Sequence, residues 1–317
     1  SARWAPTTDH GNEAAMKLAL GPVPYYWTAE RIKAFYDTIA DTDVDIVYLG
    51  EQVCSRRHNL RLPDWLSLAE RLTDAGKEVV LSSLILVESE SDLKALRRLA
   101  ANGRFRVEAN DMAMVQLVAG HAEFVIGPHL NVYNAASLGL LIEAGAVRWC
   151  APTELSAQTL AGILSTLPAT VESEVVVLGP LTLALSARCF TARHYNRQKD
   201  DCGFICMDHP TGMPLTTQDG QDFLVLNGVQ TLSAKIHSLL HDLGSLRRLG
   251  VAVGRVVPLG ENMAPLLAHV RARLDGRIDD DTGQHELPGL VAGECCGGYW
   301  NGLAGMQAGV SAMPGTP

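Results

Sequence analysis

Seven cysteines are the residues of this chain best suited to do chemistry. Cys189, Cys202 and Cys206 fall in one polar stretch with the spacing Cys-x12-Cys-x3-Cys, and Cys54 lies far upstream, beside Glu51 and just before Arg56 and Arg57. A cubane iron–sulfur cluster needs four thiolates converging from different directions, which separate loops at one end of a barrel can supply. Zinc also accepts four thiolates, but structural zinc sites use tight pairs with about two to four residues between the cysteines. Only Cys202 and Cys206 have that spacing here. Arg56, Arg57, Arg188, Arg193, Arg197 and Lys199 stand close to these cysteines in sequence. Positive neighbours favour thiolates and offset the negative charge of a thiolate-ligated cluster. On spacing alone a plainer reading stays open, in which the thiols are small core residues and the arginines a solvated face.

Other candidates are weaker. Cys150, within Val147-Arg148-Trp149-Cys150-Ala151-Pro152, sits on a predicted strand and reads as a core thiol. Cys295 and Cys296 precede Gly297-Gly298-Tyr299-Trp300 and read as small thiols in a Gly-rich turn, with vicinal redox chemistry as the alternative. His237 and His241 have i, i+4 spacing and are expected to share a helix face, on the surface or toward a partner rather than on a metal. His129, Asn131 and Asn134 follow the fifth predicted strand and Glu51 ends the second, so all four are candidates for a polar substrate pocket at the ligand-binding end of a barrel. Capping of the following helix is the alternative for the asparagines. Dinucleotide, P-loop, serine-elbow and His-Glu-x-x-His fingerprints are absent from the sequence.

The elements that would position these residues alternate regularly. Apolar, β-branched runs at 17–23, 45–50, 78–83, 105–108, 123–127, 147–151, 174–178 and 251–257 predict strands. Amphipathic stretches at 28–40, 63–75, 90–101, 135–144, 156–167 and 263–274 predict helices. This βα rhythm predicts an α/β fold, a (β/α) barrel-like architecture related to the TIM barrel, with a Cys-rich insertion near residues 186–221. A single domain is expected over 16–310, after a disordered leader or expression remnant at 1–15 and before a short tail at 311–317. With 317 residues, 47% apolar, the chain can bury a large core, and its net charge of −9 argues against nucleic acid as a main partner. No stretch is apolar enough for a membrane span. The odd cysteine count, without a secretory leader, predicts a reducing, cytoplasmic setting.

Four segments together carry a family resemblance. They are Gly21-Pro22-Val23 with Tyr25-Tyr26-Trp27; Tyr48-Leu49-Gly50-Glu51 with Cys54-Ser55-Arg56-Arg57; Ser186-Ala187-Arg188-Cys189-Phe190-Thr191-Ala192-Arg193; and Leu226-Asn227-Gly228-Val229-Gln230-Thr231. With these the chain resembles the U32 peptidase family, in particular its members of oxygen-independent ubiquinone biosynthesis. The resemblance implies that Cys54, Cys189, Cys202 and Cys206 ligate a [4Fe-4S] cluster. It implies a heterodimer with the paralogue UbiU that supports hydroxylation of ubiquinone-precursor rings without molecular oxygen, prephenate being the oxygen donor, and it brings in a lipid-carrier accessory protein as a further partner. One departure stands out: the family's Cys-Asn-Gly-Tyr-Trp is here Cys296-Gly297-Gly298-Tyr299-Trp300, which loses the Asn side chain. Two other readings are a U32-type peptidase and a structural iron–sulfur partner without catalysis of its own. The peptidase would need a nucleophile and a base, for which the sequence holds no recognisable signature.

Overall fold

The computed structural model describes residues 15–278, 283 and 287–307, so residues 1–14 of the expected leader and the tail at 311–317 lie outside the described residues. Six strands, each followed by a helix, come first: β1 (Lys17–Leu20), β2 (Ile46–Leu49), β3 (Glu78–Ser82), β4 (Arg106–Ala109), β5 (Phe124–Ile126) and β6 (Ala146–Cys150). Their helices are α1 (Ala29–Ala40), α2 (Leu62–Asp74), α3 (Glu90–Ala100), α4 (Met112–Val118), α5 (Ala135–Glu143) and α6 (Ala157–Leu164). A polar side chain opens most of them: Thr28, Ser89, Asp111, Asn134 and Ser156 each accept a first-turn amide that the helix itself cannot satisfy.

The seventh strand, β7 (Glu172–Leu185), runs on well beyond the barrel. The chain then forms α7 (Phe190–His194), β8 (Met213–Thr216), β9 (Asp222–Asn227) and β10 (Gln230–Ser238), and returns through α8 (Leu243–Arg248) to β11 (Val253–Val256) and α9 (Ala264–Leu274). β11 pairs in parallel with both β1, Val253 opposite Lys17, and β7, Val253 opposite Glu174. That double pairing closes an eight-stranded parallel barrel, as the βα rhythm predicts. The insertion is less irregular than expected: β10 lies antiparallel to the extended end of β7 and to β9, and β8 completes an antiparallel flap.

Strand alternation sorts the side chains. Leu18, Leu20, Val47, Leu49, Val107, Trp149, Val175 and Val177 pack outward beneath the helices. Ala19, Ile46, Val80, Val125 and Val253 fill one inner layer with Tyr48. The next inner layer is charged, and it is buried: Glu108 and Glu174 are 0% exposed and Arg255 3%. Arg255 Nη1 donates to Glu108 Oε1 at 2.7 Å and Arg255 Nε to Glu174 Oε1 at 2.8 Å, while its guanidinium carbon lies 3.8 Å from the centre of the Tyr48 ring. Tyr48 in turn donates to Glu174, and Ser82 and Asn110 donate to Glu108. Burial opposes the charge on Arg255, but Cys150, Glu108 and Glu174 around it hold the guanidinium protonated. Cys150 is fully buried in this layer, as a core thiol should be.

His237 and His241 correct one expectation. His237 lies on β10, buried, with Nε2 against the Val176 carbonyl at 3.2 Å, and His241 lies in the 3-10 turn Leu240–Asp242, so the two share no helix face. The run Gln230–Ser238 alternates with the period of a strand, which the i, i+4 spacing of the histidines conceals. Burial lowers the His237 pKa from 6.5 to about 4. A depressed histidine stabilises the fold above its unfolded pKa, and this contribution is lost as pH falls from about 6.5 through about 4. This contribution is on the order of 3 kcal/mol. Urea unfolding midpoints of wild type and His237→Asn, measured from pH 7 to 4, are expected to converge as the pH falls. Parallel curves would show that His237 titrates normally in the fold.

Candidate functional site

Both candidate sites lie beyond the C-terminal ends of the barrel strands, where β11, β7 and the βα loops open. The first is the ring of cysteines. Cys54 sits in the loop after β2, Cys189 caps α7 with its sulfur accepting from the Ala192 amide at 3.4 Å, and Cys202 and Cys206 flank the left-handed pair Gly203-Phe204. All are free thiols of intermediate exposure. Cys189 is an electrostatic neighbour of Cys54 and of Cys206, and Cys206 is one of Cys202.

Arg57 organises this ring. Its guanidinium is 1% exposed and lies against the Cys206 thiol, within reach of Cys54 and 3.6 Å from Glu51 Oε1. Nη1 donates to the Pro24 carbonyl at 2.8 Å and Nη2 to Asn227 Oδ1 at 2.9 Å, so one side chain ties the Cys54 loop to β9 and to the loop after β1. Gly228 makes this possible. Its φ is +68°, and a Cβ there would stand 3.1 Å from Arg57 Nη2. The Gly228 carbonyl accepts the Phe190 amide and its own amide donates to Thr191 Oγ1, which anchors α7 and hence Cys189. Arg56 donates from Nη1 to Asp200 Oδ1 at 2.9 Å and from Nη2 to the Asp200 carbonyl at 2.7 Å, holding the turn before Cys202. Trp27 Nε1 donates to the Pro210 carbonyl at 2.7 Å and secures the far end of the same segment.

The second site is the barrel mouth, enclosing about 680 Å³ of space not filled by protein atoms, part of it open to solvent. His129, Asn131, Gln52, Glu154, Gln230 and Arg255 contribute its polar groups. Arg255 Nη2 is buried and hydrogen-bonds to nothing among the described residues. An unpartnered guanidinium N–H on the floor of a pocket is a ready donor to a ligand oxygen. Burial, with Arg255 adding to it, lowers the His129 pKa to about 4, so this imidazole is neutral at pH 7 and free to donate or accept.

The four residues proposed for a substrate pocket therefore separate. His129 and Asn131 line the mouth. Asn134 instead caps α5, its Oδ1 accepting from the Ser137 amide at 2.8 Å. Glu51 turns toward the cysteine loop, where Oε1 accepts the amides of Val53 at 2.8 Å and Cys54 at 3.0 Å. Burial raises the Glu51 pKa against the pull of Arg57 and those amides. Sequence reasoning missed Arg255, Gln52, Gln230 and Glu154. The one signal available for Arg255 was a charge inside the apolar strand run 251–257. Cys295 and Cys296, expected in a turn, form the short strand β12 (Cys295–Cys296) beside Ile236 and His237 of β10.

The profile of peptidase family U32 matches residues 27–274, which span the barrel from the loop after β1 to the end of α9 and include all four ring cysteines. The chain belongs to the U32 peptidase family. Among solved structures, this U32 protein is similar to the U32 peptidase Mk0906, with 13% identity and a TM-score of 0.45 over 82% of this chain and 99% of that one. It is also similar to dihydropteroate synthase from Anaplasma phagocytophilum, with 10% identity and a TM-score of 0.39 over 84% of this chain and 100% of that one. The N-acetylneuraminate lyase of Aliivibrio salmonicida has 10% identity and a TM-score of 0.39 over 87% and 79% of the two chains. No described helix of the U32 protein is long and apolar enough to cross a membrane.

Among the described residues no three His, Cys, Asp or Glu side chains meet closely enough to hold one metal ion. A cubane spreads its four irons over separate corners, so its thiolates need not share a single point. Arg57 Nε is buried and hydrogen-bonds to no described residue, which leaves an N–H donor on the guanidinium beside Cys206 for an anionic group. Burial pushes the Cys54 thiol up to about 11 and the Cys206 thiol in the same direction, so ligation at neutral pH would release protons.

Proposed function

We propose that this U32 protein is an iron–sulfur protein in which Cys54, Cys189, Cys202 and Cys206 hold a [4Fe-4S] cluster. On the UbiV-like resemblance of its motifs, it works in the cytoplasm as one half of a heterodimer with UbiU, supporting oxygen-independent hydroxylation of ubiquinone-precursor rings with prephenate as oxygen donor. The observation that carries the cluster reading is the succession of neighbouring cysteines from separate loops, Cys54 to Cys189 to Cys206 to Cys202, with the buried Arg57 beside Cys54 and Cys206. The group would supply one-electron transfer, since four thiolate ligands leave no iron open. The chain's own residues do the rest: Arg57 offsets thiolate charge, Glu51 fixes the Cys54 loop through its amides, and the mouth seats a substrate oxygen on Arg255 Nη2 beside the neutral His129.

Anaerobic purification is expected to yield a brown protein with about four iron and four sulfide per chain, read by metal analysis and visible absorption. A colourless, iron-free protein that retains activity overturns the reading. The U32 peptidase alternative is favoured by the family itself. Against it stands the chemistry of the thiols: burial pushes Cys54 and Cys296 up to about 11, the wrong direction for a nucleophile. Peptide cleavage that disappears in Cys296→Ala but survives in Cys54→Ala and Cys202→Ala would install the peptidase reading instead.

A further inference from the structure

Between the cysteine ring and the barrel mouth runs an unbroken line of buried side-chain contacts. Arg57, against the Cys206 thiol, donates from Nη2 to Asn227 Oδ1 at 2.9 Å. Asn227 Nδ2 donates to Gln230 Oε1 at 3.0 Å, and Gln230 Nε2 donates to Thr182 Oγ1 at 3.0 Å. Gln230 and Thr182 line the mouth. Pro24, another mouth residue, accepts at 2.8 Å from both Arg57 Nη1 and Asn227 Nδ2, bracing the middle of the line.

Arg57, Asn227 and Gln230 are 4%, 3% and 1% exposed, so water cannot readily replace a lost partner. The line also has a direction. An arginine can only donate, so Asn227 must turn its oxygen to Arg57 and its nitrogen to Gln230, and Gln230 must then present its nitrogen to Thr182. A ligand that competes for the Thr182 hydroxyl or the Gln230 amide disturbs a chain whose other end is the guanidinium beside Cys206.

We propose that this relay couples the two sites: what occupies the barrel mouth sets the position of the Arg57 guanidinium over Cys206, and through it the reduction potential of the cluster. Arg57 is thus a positioning residue, and Asn227, Gln230 and Thr182 are its link to the mouth. The inference rests on the cluster reading above. Donors and positive charge beside cluster sulfurs stabilise the more negative reduced form, so loosening Arg57 lowers the potential.

The test is an anaerobic titration of the one-electron couple with dithionite, following cluster absorption in the full-length protein, after iron and sulfide content has been matched to wild type. Arg57→Lys is expected to lower the midpoint by about tenfold in the reduction equilibrium, ~59 mV for a one-electron couple. Gln230→Met and Thr182→Val, altered at the mouth end, are expected to lower it by about threefold. Thr182→Val removes only the last hydroxyl and serves if Gln230→Met costs the fold. Asn134→Ala, at the cap of α5 and outside both the mouth and the relay, should leave the midpoint unchanged. Distal variants with full iron and a wild-type midpoint overturn the proposal, as does an equal shift in Asn134→Ala. A wild-type protein without iron overturns the cluster reading instead.

Discussion

Replacing Arg255 with leucine is expected to lower the unfolding free energy by about 3–5 kcal/mol, because it strands the carboxylates of Glu108 and Glu174 inside the barrel without their cation. Both are 0% exposed, and the remaining donors on them, Tyr48, Ser82 and Asn110, are neutral. Urea denaturation reads the loss directly. Two companions sharpen it. Arg255→Lys keeps a charge but loses the fork that engages both carboxylates, so it should fall between wild type and leucine. Arg255→Leu with Glu108→Gln and Glu174→Gln should recover part of the loss, since the penalty lies in the uncompensated charges rather than in the missing arginine. A single Arg255→Leu variant as stable as wild type would mean that the layer is not held together by its ion pairs.

Alanine at Cys54, Cys189, Cys202 or Cys206 is expected to reduce bound iron and sulfide by about tenfold or more, with the brown colour lost. Cys150→Ala and Cys296→Ala are expected to keep both. The contrast matters more than any single loss, because the first four thiols are partly exposed and neighbour one another in sequence of contact while Cys150 and Cys296 are buried elsewhere. Circular dichroism of each variant separates a lost ligand from a lost fold. Iron lost equally from Cys150→Ala would point to general destabilisation, and iron retained in Cys206→Ala would remove Cys206 from the ligand set.

The barrel was legible because its outer face obeys a simple rule. In β1 to β7 the residues beneath the helices are Leu, Val, Ile, Phe and Trp, and most helices start on a polar cap, so apolar runs and caps marked the units to within a few residues. α4 escaped because it is only seven residues long. β7, expected over 174–178, continues to Leu185 as part of the flap, where register shifts in its pairing with β10 accommodate Gly179 and Pro180. The inner face was not legible. Glu108, Glu174 and Arg255 look like interruptions of strand patterns, and only three-dimensional closure turns them toward one another. The cysteines were visible through type and spacing, whereas the role of Arg57 depends on Pro24 and Asn227, residues far from it in sequence that only the fold brings near.

The pairing of β11 with both β1 and β7 has a consequence for assembly. Lys17 waits for Val253, so the barrel cannot close until nearly the whole chain is available. Before that point the chain can form at most an open parallel sheet with two raw edges, β1 and β7, the kind of intermediate that invites association between chains. The segment made in the interval is the flap, and its β10 lies along the far end of β7 and shields part of that edge. Cys189, Cys202 and Cys206 emerge in the same interval, ahead of β11. Their segment thus doubles as a temporary guard on an unfinished barrel, and its three cysteines are on hand before the last stave is in place.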